Sequence, residues 1–422
     1  MKKFERYAAI VLLVAILAFG ASLSSSMLFF RLIAGCILGY ALSRGFMGFA
    51  GSVNRAYQTG STRLMRHLML LFFLTAMIST AVLYNQDATG YDLWINPINL
   101  GLIVGGLLFG FGMVFSSCCA SGVLTDIVTA LPRGLITLLF FGIGVFVGFP
   151  LQNTQTWITE SWFSSATGTA IGTKGVYFPD WFAFDGLNGY LGALLLTAAL
   201  CGLVVYLSYR YENKRKANGT YSGHFMEGVQ DIEEKNSLQE DNSKLCSETT
   251  YQRLFARPWT MRTAVFVITG VFVMLMGVTK AGWGASTPYG FWFGKILLAL
   301  GVSQDAIVNF TKGGINPYVM PFFNHPINVQ NFGIMVGTLY YMLSSEKLAE
   351  TVKASFAITW KQAFFYALGG LLMGFGTRLS NGCNVGALYT PIANFSLSGW
   401  LYLIFITCGG IVGNIVAKKV KL

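Results

Sequence analysis

The sequence predicts an all-α polytopic membrane protein: two inverted-topology repeats with re-entrant broken helices and about ten full spans. Three observations predict it. Charged residues make up 11% of the 422 residues and hydrophobic ones 54%, whereas a water-soluble surface needs roughly a quarter charged. Apolar runs recur at the ~20-residue length that crosses a bilayer. One Gly-rich cysteine motif also occurs twice, 264 residues apart.

The start, MKKFERYAAIVLLVAILAFGASLSSS, has basic residues, an apolar stretch and then small residues, the layout of a secretory signal. Further spans follow at once, so a retained signal-anchor helix is expected, with the N-terminus in the cytoplasm. The expected spans are 7–24, 27–43, 66–85, 98–116, 134–152, 187–208, 262–280, 327–344, 362–379 and 399–417.

Loop charges orient these spans. The segment 85–97 carries Asp87 and Asp92 but no Lys or Arg, and 153–186 sets Lys174 against Glu160, Asp180 and Asp185. Both belong outside. The stretch 209–262 holds nine Lys/Arg and eight Asp/Glu, from RYENKRK through EEKNSLQEDNSK. It is too polar to pack a core and is expected to be a flexible cytoplasmic connector. The tail AKKVKL belongs inside as well. Ten spans with both termini in the cytoplasm satisfy every constraint. The chain then divides into a first membrane half, 1–208, with repeat core 27–152; a charged linker, 209–261; and a second half, 262–422.

The net charge of +11 does not point to nucleic acid. The basic residues flank apolar segments, and no basic, aromatic-interleaved folded domain is present. Forty-nine glycines exceed the usual ~7% and suit close helix packing and broken helices.

Four further apolar segments are too short, or too interrupted by Gly, Ser and Pro, to span: 44–57, 117–132, 281–303 and 380–396. They are expected to be re-entrant loops or half-helices. Such backbone is tolerated at membrane depth only inside protein or beside water.

The repeat lies in two of them. GLLFGFGMVFSSCCASGVL (106–124) and GLLMGFGTRLSNGCNVGAL (370–388) align without a gap. Gly110, Phe111 and Gly112 match Gly374, Phe375 and Gly376; Cys119 matches Cys383, and Gly122 matches Gly386. Extended span by span, the pairing sets partners five spans apart along the chain, an odd number, so the halves must be inverted. Inverted repeats bring their broken segments together near the midplane, and half-helix N-termini there form an anion site.

Cys119 and Cys383 are therefore the central candidates. A neutral thiol is a weak donor and a polarisable acceptor; it can meet an anion without trapping it, as conduction requires. Cys118 adjoins Cys119, but its counterpart is Gly382, so its role is expected to be mainly structural. Ser116, Ser117, Ser121 and Thr125 in the first half, and Ser380, Asn381, Asn384 and Tyr389 in the second, could donate to anion oxygens or simply cap helices. Arg378 and Arg133 are costly at depth; they either draw in an anion or snorkel to the interface. Trp283 with Ser286, and Phe49 with Asn54, occupy the other two broken segments.

A metal centre, a cofactor and a disulfide framework are not expected. The seven cysteines form no CxxC pair, and the three histidines, His67, His224 and His325, cluster with none of them. A membrane thiol enzyme would need a thiolate activated by a base or cation, and no histidine lies near either motif.

GGLLFGFGMVFSSCCASG, RGFMGFAGSVNRA and GFGTRLSNGCNVGALYTPIANFSLSGW resemble the YeeE/YedE-type sulfur-transport membrane proteins, over most of the chain outside 153–186 and 210–260. The resemblance implies an inner-membrane permease for thiosulfate, with cysteines handing the ion along a central path; some relatives are tied to selenium metabolism instead. It also implies a small cytoplasmic TusA-like sulfur carrier as partner, and it makes Cys119 and Cys383 the two Gly-rich-motif cysteines. One departure stands out. In the family's Arg-x-x-x-Cys-Phe pattern, Gly48 takes the cysteine's place between Arg44 and Phe49. Met47 is the nearest sulfur, and the third thiol is lost unless Cys118 or Cys36 substitutes.

Overall fold

The computed structural model describes residues 2–239 and 248–420; Cys246 lies outside them. Among the described residues the regular structure is helical, with two isolated bridges, Asp92 to Ala281 and Tyr177 to Ser396. Among the described residues, eight helical segments are long and apolar enough to cross a membrane: Phe4–Ala21, Ser26–Arg44, Arg63–Leu83, Leu100–Thr129, Leu131–Thr154, Tyr190–Ala217, Met261–Thr279 and Leu397–Lys419. The chain is an all-α polytopic membrane protein.

The two remaining expected spans are also helices, Pro326–Ser344 and Trp360–Leu379, but more polar ones. The first buries Asn328, Gln330 and Asn331, and the second Thr377 and Arg378. Both are wedged among other helices, where polar side chains meet protein partners rather than lipid.

The backbone breaks in each segment where Gly, Ser and Pro interrupt the apolar pattern. Residues 44–57 give a loop and then helix Gly51–Thr59. The long run from Leu100 divides into Leu100–Ser116 and Ala120–Thr129. Residues 281–303 give Thr287–Ala299, and 380–396 give the short turns Asn384–Tyr389 and Thr390–Ala393.

Glycine sets how closely the centre packs. Leu100–Ser116 and Trp360–Leu379 touch at Gly105 with Gly376, and at Gly112 with Gly369. Added Cβ atoms at Gly105 and Gly112 would stand 2.6 Å and 2.7 Å from the facing carbonyl oxygens, so no larger residue fits there without movement. Residue numbers rise along one helix as they fall along the other, so the two helices are antiparallel.

Packing around this pair is reciprocal. Leu100–Ser116 lies on Leu397–Lys419, and Trp360–Leu379 on Leu131–Thr154. Ser26–Arg44 lies on Pro326–Ser344, and Met261–Thr279 on Arg63–Leu83. Every one of these contacts joins the first half to the second, so the halves share one interior.

The charged linker is more ordered than its composition suggests. Helix Tyr190–Ala217 runs on into it, and helix Phe225–Gln239 docks on the membrane core. Gln230 is buried and donates to the carbonyls of Gly45 (3.0 Å) and Trp259 (2.7 Å). Glu227 accepts from Ser61 at 2.6 Å, and Glu212 accepts from the Thr62 hydroxyl at 2.9 Å and pairs with Arg66 at 2.8 Å. Buried polar groups are tolerated when they are partnered, and alternating charges conceal that partnering from a reading of composition. Arg44 clamps the returning strand of the linker. Its guanidinium, 1% exposed, donates to the carbonyls of Arg253, Leu254 and Arg257.

Candidate functional site

The two cysteine loops have the same local geometry. Each helix ends in a residue with left-handed backbone, Ser117 (φ 57°) and Asn381 (φ 56°), two positions before the cysteine. Ser116 Oγ bonds the carbonyls of Gly112 and Cys118; Ser380 Oγ bonds those of Gly376 and Gly382. Each cysteine is then extended and caps the next helical turn, Cys119 at φ −118°, ψ −175° and Cys383 at φ −99°, ψ −166°. Cys119 O accepts from Val123 N–H at 2.8 Å and Cys383 O from Ala387 N–H at 2.6 Å. Each thiol thus stands at a half-helix N-terminus, among N–H groups without intrahelical partners.

Both cysteines are 1% exposed, and they lie close enough to interact electrostatically. The Ser121 hydroxyl is 3.4 Å from Cys119 Sγ. The backbone N–H groups of Gly122 and Ala50 also point at that sulfur. Donors from two broken segments thus converge on one thiol, a suitable setting for an anion. The half-helix after Cys383 opens in wide turns, Asn384–Tyr389; π-type turns of this kind occur frequently at functional sites.

A cavity of about 530 Å³ reaches this point. Its wall includes Met47, Gly48, Ser121, Gly122, Asp126 and Arg133, with Arg55 and Lys347 adding positive charge. Gly48 faces open space, since an added Cβ would meet nothing within 4 Å. Met47 and Gly48 share the cavity wall, so this loop presents a thioether there.

Arg378 does not snorkel. It is 3% exposed, and its hydrogen-bond partners are neutral: Gln152 Oε1, Thr287 Oγ1 and Thr377 Oγ1, each at 3.2 Å. Phe149 lies under the guanidinium at 5.4 Å, and Cys383 is within electrostatic range. A buried cation without a carboxylate is expensive, which sets Arg378 apart from the packing residues around it. Asn381 joins this group through Gln152, whose amide donates to Asn381 Oδ1 at 2.7 Å.

The remaining candidates divide. Trp283 is wholly buried against Phe49 and Tyr389 (6.2 Å between ring centroids in each case), and its indole N–H has no partner. Asn384 donates to the Met113 sulfur at 3.1 Å, while its buried carbonyl oxygen is unpaired. Of these orphaned groups, that of Asn384 belongs to the residue directly after Cys383. Ser117 is exposed; it turns the chain by its backbone rather than offering a hydroxyl beside Cys119. Cys118 is buried as a free thiol against Asp126, with no vicinal disulfide. Cys36 faces a separate cleft lined by Tyr40, Arg44 and Trp259.

Three site residues escaped the sequence. Tyr289 donates to Ala120 O at 2.6 Å and lies near Cys119 and Cys383. Tyr402 is buried within electrostatic range of the same two thiols, and Gln152 bridges Arg378 to Asn381. None of the three lies in a motif or period that marks it.

A model of the sulphur transport family matches residues 44–412. A relative named thiosulfate transporter TsuA, from Spirochaeta thermophila, is 25% identical over 396 residues, 91% of this chain and 97% of the relative. The protein of that name from Escherichia coli is 22% identical over 387 residues, 91% and 93% of the two chains. The probable transporter YedE of Escherichia coli is 24% identical over 155 residues, 37% of each. With 44–412 matched end to end and both cysteine loops inside the match, the chain belongs to the sulphur transport family.

Proposed function

We propose that this protein is an inner-membrane permease that takes up thiosulfate, passing it between Cys383 and Cys119. The observation that carries the proposal is the pair of like-folded cysteine loops, buried close to each other at half-helix N-termini. Full-length relatives named thiosulfate transporters support the choice of anion. Arg378 receives the anion's charge on the Cys383 side. The N–H groups of Gly122 and Ala50, with the Ser121 hydroxyl, receive it on the Cys119 side. Thiols meet the terminal sulfur in this reading.

The halves are inverted in this proposal, and the antiparallel cysteine helices with their reciprocal partners support that. Both termini and the linker are cytoplasmic, as the basic loops require. The cavity with Arg55, Arg133 and Lys347 then opens inward, where a TusA-like carrier would collect the sulfur. Uptake of labelled thiosulfate into proteoliposomes containing only this protein tests the function. Uptake above protein-free vesicles is expected; none by folded protein would remove the permease role and favour a scaffold or thiol enzyme.

A further inference from the structure

We propose that Asp126 carries one proton inward with each anion, exchanging its partner Arg133 with the anion at the cavity wall. This rests on the permease function above. Asp126 lies in half-helix Ala120–Thr129 and is the one carboxylate among the residues lining the 530 Å³ cavity that reaches Ser121 beside Cys119. It is 8% exposed. Its Oδ1 accepts from Arg133 Nη2 at 2.9 Å, and the Cys118 thiol packs against it. Asp126 Oδ2 and Arg133 Nε are buried without partners.

A structural ion pair at this depth would be expected to use both carboxylate oxygens and the guanidinium fork. This one is half-made, and it borders the space an anion enters. The other charged and titratable groups facing Asp126 are few. Pro326–Ser344 contributes Tyr341 and the turn beyond it Lys347, while Leu348–Ser355 carries Glu350 and Lys353. Asn384–Tyr389 carries Tyr389, preceded by Cys383. Tyr366 lies behind Arg133, and Arg55 stands across the cavity with Glu227 beyond it. No histidine lines the cavity.

Two exchanges follow from this geometry. A dianion arriving at Cys119 offers Arg133 a pair of oxygens and draws its fork away from Asp126. The carboxylate stays buried without a counter-ion, a state relieved by binding a proton at Oδ2. When the anion leaves, Arg133 returns, the ion pair reforms and the proton is expelled. Only the O–H bond at Oδ2 forms and breaks. One proton per dianion halves the charge moved against an inside-negative potential. Because the coupling is reciprocal, acid strengthens anion binding as the anion strengthens proton binding.

The test uses the full chain in vesicles with the membrane potential clamped to zero and a pH dye inside. Thiosulfate influx is expected to acidify the lumen by one proton per anion. An inward gradient of one pH unit should raise the accumulation ratio about tenfold. Asp126→Asn should lose both effects, and Asp126→Glu should keep the proton flux but shift the pH of half-maximal accumulation. Wild-type uptake without acidification overturns the proposal, as does proton flux that survives in Asp126→Asn. If Asp126→Asn does not reach the vesicles, an unchanged pH profile in Asp126→Glu overturns it. A wild type that takes up no thiosulfate at all instead sinks the permease function.

Discussion

Gly105 and Gly376 meet backbone to backbone: an added Cβ on either would stand within 2.8 Å of the other's carbonyl oxygen. Gly112 and Gly369 repeat the contact farther along, at 2.7 Å. These pairs hold the two cysteine helices at one separation, and the thiols follow directly from the ends of those helices.

Gly376→Ala should therefore destabilise the protein by about 1–3 kcal/mol, the usual cost of overpacking, read as a lower unfolding temperature in detergent. Gly277→Ala is the control, because a Cβ there meets nothing within 4 Å; helix propensity makes it neutral or mildly stabilising. Equal behaviour of the two variants would show that the glycine contact does not hold the helices.

Gly48→Cys should fold and take up thiosulfate at least as well as the wild type. Gly48 lies outside the left-handed region and faces the cavity with no atom within 4 Å of an added Cβ, so a thiol there adds a sulfur contact without strain. Uptake and melting temperature are measured together. A folded variant with sharply reduced uptake would mean that the open space at Gly48 is itself needed.

Arg378→Gln should lower uptake about tenfold or more, because a charge-assisted contact to the anion is worth roughly 1.5–3 kcal/mol. Arg378→Lys keeps the charge but not the fork, and should fall between. Since the guanidinium has only neutral partners, the Gln variant should not lose stability. Unchanged uptake with lost stability would make Arg378 a packing residue.

Much of this was legible in the sequence, for reasons that differ from residue to residue. Length and hydropathy expose lipid-facing helices, and the Gly-Phe-Gly…Cys frame exposed Cys119 and Cys383 because the same backbone turn occurs at both. The breaks at Ser117 and Asn381 followed from Gly and Ser interrupting an apolar run. Arg378 was visible as a costly charge, but its burial depends on Gln152 and Thr287, which only the fold brings near. Tyr289 and Tyr402 carry no local signature at all. The docking of Glu227 and Gln230 was hidden, because buried partnered charge and solvated charge read alike in composition.

If Cys119 and Cys383 carry the anion, removing either thiol stops its passage. The most direct measurement is uptake of labelled thiosulfate into proteoliposomes by Cys119→Ala, by Cys383→Ala and by the double variant, each matched to the wild type for folded protein. Most uptake should be lost in each single variant, with little further loss in the double, because the thiols serve one path in series. Uptake at the wild-type level by the folded double variant would show that neither thiol carries the anion.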